Sequence, residues 1–169
     1  MILNVRDLRA KHNRVEITES VELPSLAQGR RDIVRVEPLR ATLHAAAASE
    51  LVEVAGTLTV PVEFVCSRCL TQYCQSLTLP FREMFALEAD QVDEDDEHMH
   101  LTVEDRVDLM PYIEETAQLG LPYVPLCEED CKGLDPETGD NLNIHPAKPA
   151  ADRIDPRLEV LAQLLKKNE

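Results

Sequence analysis

Two cysteine pairs, Cys66-x-x-Cys69 and Cys127-x-x-x-Cys131, have the residue types and spacing best suited to chemistry in this chain. A short-spaced pair lets two thiolates approach one tetrahedral ion from a single turn, and two such turns complete a four-thiolate structural zinc site. Because 57 residues separate Cys69 from Cys127, only the fold can bring the pairs together. Other readings remain open at this level: four small packed side chains, a metal met by one pair only, or a redox pair at Cys66 and Cys69. The last lacks the strand-helix-strand surroundings of thioredoxin-like proteins. Arg68 favours thiolates and the carboxylates after Cys127 oppose them, so charge does not choose. Cys74, the odd cysteine, is expected to be a packed thiol.

The remaining candidates are weaker. His12, His44, His98, His100 and His145 form no His-Glu-x-x-His helix and no triad signature. His98 and His100 are expected on a solvated segment beside an acidic run, and His145 is read as solvent-exposed before it is read as a substitute ligand. That run, from Asp90 to Glu97, lacks the fixed Gly and terminal Glu of a calcium loop and reads as a solvated loop. With five glycines in all, there is no phosphate-cradling loop. The expectation is therefore a protein that is not an enzyme.

The elements that must position the cysteines follow from periodicity. Val52, Val54, Leu58, Val60, Val62 and Phe64 share one parity, with Gly56 the gap, which predicts a long antiparallel strand with one wet face and a bulge or bend at Gly56. Leu77, Leu79, Phe81, Phe85 and Leu87 share a second parity broken only by Glu83, predicting a partner strand. Cys66 to Leu70 then lies in the connection between them. Upstream, residues 14–23 and 33–43 also read as strands, the second interrupted at Pro38, and Ala45 to Ala48 as a strand end and turn. Met110, Ile113, Ala117 and Leu121 have helical spacing, with Asp108 as a candidate N-cap and Gly120 and Pro122 as the stop. Asp155-Pro156 opens a last helix striped by Leu158, Leu161 and Leu165. The expected fold class is α+β: an antiparallel sheet-rich domain over residues 1–145, with a helix after the second long strand, then a linker and C-terminal helix over 146–169.

Composition narrows the function. The chain has 169 residues, 17 basic and 32 acidic, for a net charge of −15. Residues 1–50 carry +1, residues 51–140 carry −17 and residues 141–169 carry +1. The acidic middle repels a phosphate backbone, and 4% aromatics without tryptophan leave few platforms for stacking bases. No apolar run reaches the roughly 18 residues of a membrane span. Met1 to Asp7 has no basic-then-apolar leader, and five thiols fit a reducing compartment, so a cytoplasmic protein with no membrane contact is expected.

The order of motifs is more specific than any one of them. A long strand ending Val65-Cys66-Ser67-Arg68-Cys69-Leu70, a second strand, a helix opened by Val107-Asp108-Leu109 and closed by Leu119-Gly120-Leu121-Pro122, then Cys127 and Cys131-Lys132-Gly133-Leu134, resembles the YceD family, the large ribosomal RNA subunit accumulation proteins. The resemblance covers roughly residues 50–145 and implies a cytoplasmic bacterial or organellar factor needed for accumulation or processing of the large-subunit ribosomal RNA, with no catalytic activity established for the family. Genes of this family commonly neighbour that of a small basic large-subunit ribosomal protein. Many members carry two further cysteines where this chain has Asp135 and Thr138, so a zinc here must recruit Cys66, Cys69, Cys127 and Cys131 together. The expected partner is a basic large-subunit ribosomal protein or pre-ribosomal particle, bound by the acidic surface of residues 83–140. The alternatives are direct RNA contact through Arg6, Arg9, Lys11 and Arg14 or Arg30, Arg31, Arg35 and Arg40, and a metal-dependent nuclease, whose carboxylates would have to sit on rigid elements.

Overall fold

The structure, a computed structural model, describes residues 1–10, 14–48, 51–87, 98–102 and 106–146. Its frame is a hairpin of two 15-residue strands, β5 (Leu51–Val65) and β6 (Gln72–Ala86). They pair antiparallel in one unbroken register from Leu51↔Ala86 to Val65↔Gln72. Alternation explains the pairing: Val52, Val54, Leu58, Val60, Val62 and Phe64 are buried on one face, and Thr57 and Thr59 lie on the other. The other edge of β5 is shared by two strands end to end. β4 (Leu39–Ala48) runs along Leu51 to Thr59, and β3 (Ile33–Val36) runs along Val62 to Phe64. Pro38 divides them, because proline lacks a ladder donor and restricts Glu37 before it; the Glu37 N–H reaches the Pro61 carbonyl at 3.0 Å across the break. Outside them, β2 (Arg14–Val21) pairs antiparallel with β4. Ala45 to Ala48 are strand throughout rather than a turn.

Gly56 makes no bulge. It stays in register with Leu43 on one side and Phe81 on the other. What requires glycine is space, since a Cβ there would lie 2.2 Å from the Thr42 carbonyl oxygen and 2.8 Å from Leu43 Cα.

One face of the sheet is covered. The short helix α1 (Val5–Ala10) packs Val5 and Leu8 against β4 and β2, where Ala41 and Ala45 leave room. Asn4 Oδ1 accepts the Arg6 N–H at 3.0 Å and so begins the helix. Strand β1 (Ile2–Asn4) pairs with β8 (Arg106–Asp108), which delivers the chain to helix α2 (Met110–Leu119). The cap position is Leu109 rather than the expected Asp108, which lies one residue before it and whose Oδ1 accepts the Met110 N–H at 3.0 Å, while Ile113 and Ala117 enter the core. A three-residue strand, β7 (Met99–Leu101), runs parallel to the end of β6. The molecule is thus α+β and mostly sheet. The helix after the second long strand is present; the acidic run at residues 90–97 and the C-terminal helix lie outside the described residues. Among those described, no helix is long and apolar enough to cross a membrane.

Overpacking a strand interior costs on the order of 1–3 kcal/mol, and Gly56→Ala must push β4 away from β5. Its urea midpoint is expected to fall by that equivalent, and an unchanged midpoint would show that the close approach is not needed.

Candidate metal centre

Strand parity places the first thiol. Cys66 falls on the same parity as Val62 and Phe64, so it enters the interior one residue beyond the end of β5 and is fully buried. The chain then turns within five residues: the Leu70 N–H reaches the Cys66 carbonyl at 3.0 Å and the Cys66 N–H reaches Thr71 O at 2.9 Å. Leu70 takes φ 59°, a left-handed conformation that costs a non-glycine residue on the order of 1 kcal/mol. That turn carries Cys69 back beside Cys66.

The second pair arrives on the loop after α2. The Ser67 N–H binds the Pro125 carbonyl at 2.9 Å, and Arg68 Nη1 binds the Cys131 carbonyl at 3.0 Å, so the first turn grips the second at both ends. Gly133, at φ 80°, passes the backbone of Arg68 closely. Asn143 completes the clasp: its Oδ1 accepts the Lys132 N–H at 2.8 Å while its Nδ2 donates to Cys131 Sγ at 3.3 Å.

The four Sγ atoms of Cys66, Cys69, Cys127 and Cys131 all lie within 4.8 Å of one another. Contacts run across the pairs, Cys66 to Cys131 at 3.7 Å and Cys69 to Cys127 at 3.6 Å. A tetrahedron with metal–sulfur bonds of about 2.3 Å has sulfur–sulfur edges of about 3.8 Å, whereas a disulfide needs about 2.05 Å. The donor set therefore fits a four-thiolate ion.

Electrostatics divide the thiols. Burial pushes Cys66 up, but backbone N–H groups of Cys69, Cys127 and Arg68 prevail and hold it down at about 6. The Thr71 hydroxyl lowers Cys69. Cys127 is pushed up to about 12, first by burial and then by the three neighbouring thiols. Tyr73, packed on the cluster, is raised by burial and by Cys66 and Cys127.

Other sequence expectations divide. Cys74 is exposed, not packed, because it lies on the wet parity of β6. His145 is exposed. Asp135 closes its loop through the backbone N–H groups of Thr138 and Glu137, which lower its carboxyl. Arg30 is half-buried and bound to Asp32 and to the Pro122 carbonyl, while Arg35 pairs with Glu37 on the surface and stays largely exposed. Arg14, Arg31 and Arg40 are exposed.

His100 is the central residue of β7 and half-buried, not solvated as expected, whereas His98, just before the strand, is largely exposed, in keeping with a solvated segment. His100 Nε2 meets Glu83 Oε2 at 2.7 Å and His98 Nδ1 meets Oε1 at 3.4 Å. Glu83 is 6% exposed, and His100 stacks against Tyr112 with ring centroids 4.4 Å apart. Sequence reasoning missed this group, although the one charge on the apolar parity of β6 and two histidines on one side of a strand were its signal.

The family described as "Large ribosomal RNA subunit accumulation protein YceD" matches residues 54–165, a span that contains all four cysteines. An uncharacterized protein of Mycobacterium leprae (strain TN) is 34% identical over 148 residues, 85% of this chain and 68% of that protein. The uncharacterized protein YlbN of Bacillus subtilis (strain 168) is 30% identical over 156 residues, 91% of this chain and 90% of its own. An uncharacterized protein of Mycobacterium tuberculosis (H37Rv) is 32% identical over 125 residues, 73% of this chain and 60% of that protein. No solved structure matches. The ordered motifs, the family match around the thiol clasp and a relative aligned along nearly the whole of both sequences together show that the chain belongs to the YceD family.

Proposed function

We propose that this protein is a non-catalytic, cytoplasmic factor for accumulation of large-subunit ribosomal RNA, and that it works by holding a basic ribosomal protein against its acidic surface. The observation that carries the reading is charge placement: residues 83–140 hold 19 acidic and 2 basic side chains, within the span matched to the family. Such a surface attracts Lys- and Arg-rich partners and repels bare RNA. The engagement of Arg30 with Asp32 and the Pro122 carbonyl also counts against direct RNA contact at that residue. Affinity capture of the tagged protein from its own cells is expected to recover a basic large-subunit protein at low salt and lose it at high salt. Recovery of ribosomal RNA stripped of protein would overturn this reading.

Cys66, Cys69, Cys127 and Cys131 hold a structural zinc within the same proposal. Four protein ligands close the coordination sphere and leave no open position for substrate, which supports a structural role over a catalytic one. The purified protein is expected to contain about one zinc per chain. Chelation or Cys131→Ser should lower its melting temperature by roughly 5 °C or more, while Cys74→Ser leaves both metal content and melting unchanged. Metal-free protein with an unaltered melt would reduce the cluster to packing.

A further inference from the structure

The hairpin register shows which way each backbone group of β6 faces. The Met84 N–H donates to the His98 carbonyl at 2.8 Å, and the Ala86 carbonyl accepts from the Thr102 N–H at 2.8 Å. Both residues belong to the even parity, so even residues of β6 direct their backbone away from β5. The register holds without a bulge back to Gln72. Cys74, Ser76, Thr78 and Arg82 therefore aim N–H and C=O outward, and Pro80 a carbonyl. Strand β7 covers only Met84 to Ala86. Among the described residues nothing pairs with the rest of this edge.

An open edge is normally blunted by charge. The opposite edge strand, β2, carries Arg14, Glu16 and Glu19. From Gln72 to Phe81, β6 has no charged side chain; Pro80 is its only protection. We propose that this edge is a docking site for an extended, Lys- and Arg-rich segment of a protein partner, which adds to the sheet as a further strand. Backbone ladders supply the binding and charge selects the occupant. Seven carboxylates lie between Glu88 and Glu97, directly after β6 in the chain, and Glu128, Glu129 and Asp130 follow Cys127 at the clasp beyond its other end. A second copy, also at −15, would be repelled. The proposal rests on the reading that the partner is basic and adds where and how it binds.

The probe is a labelled twelve-residue peptide of alternating lysine and threonine, titrated against the full chain by fluorescence anisotropy. A counterpart methylated at every backbone nitrogen keeps the charge but cannot pair, and it is expected to bind at least tenfold more weakly. Thr78→Pro removes one outward N–H without touching the β5 ladder, as Pro80 does natively, and should also weaken binding at least tenfold. Amide exchange on the unmodified protein needs no variant: the peptide should slow Cys74, Ser76, Thr78 and Arg82, and leave β2 unchanged. Equal binding of the methylated peptide, or slowed exchange elsewhere only, would overturn the proposal, as would a dimer dispersed by Thr78→Pro. Capture of a basic ribosomal protein that survives Thr78→Pro sinks the edge but leaves the function standing. Peptide docking at the edge with no such capture from cells does the reverse.

Discussion

The unbroken pairing of β5 with β6 is the constraint on which everything else depends. Because side chains alternate with period two, one register assigns every residue of both strands to a face, and a slip by one would invert them all. It sends Cys66 inward at the hairpin end and Glu83 inward near the other end, and leaves Cys74 in solvent. Two prolines test the register. Pro61 faces the break between β3 and β4, and Pro80 faces the open edge, so neither missing N–H costs a ladder bond.

The thiol clasp closes a loop that sheet pairing alone would leave loose. Four clustered thiols cannot all ionise without a counter-charge, and the division between Cys66 at about 6 and Cys127 at about 12 expresses that conflict. A divalent cation would resolve it by taking all four as thiolates. The Cys131 sulfur also receives Asn143 Nδ2, a neutral donor of the kind that would suit a metal-bound thiolate. Asp135 and its backbone donors shape the outer loop without a thiol, and the clustered donor set consists of the inner four cysteines.

Much of this was legible because β5, β6 and α2 are long enough for their periods to repeat. The hairpin connection and the two cysteine pairs followed from those periods. Three features were not legible, each for a physical reason. Helix α1 has six residues, less than two full turns, so its pattern cannot repeat. Gly56 suggests a bulge or bend because sequence shows a missing side chain but not the neighbouring carbonyl that excludes one. Glu83 looked like a flaw in an apolar series because its compensation, from His98 and His100, comes from a separate strand.

Glu83 also shows how the sheet edge is apportioned. A buried carboxylate is tolerated only when its oxygens are engaged, and both are, by His100 at the centre of β7 and His98 just before it. Three residues of parallel pairing are a weak ladder by themselves. The carboxylate fixes β7 to the end of β6 and so defines where the covered edge stops. Beyond that point Tyr73, Leu77 and Leu79 of β6 still pack against the core and its other edge remains paired to β5, so an occupant of the outer edge would not need to disturb the hydrophobic interior. The fold thus separates the surface that buries apolar area from the edge that offers hydrogen bonds, which lets a partner be gained or lost without unfolding the hairpin.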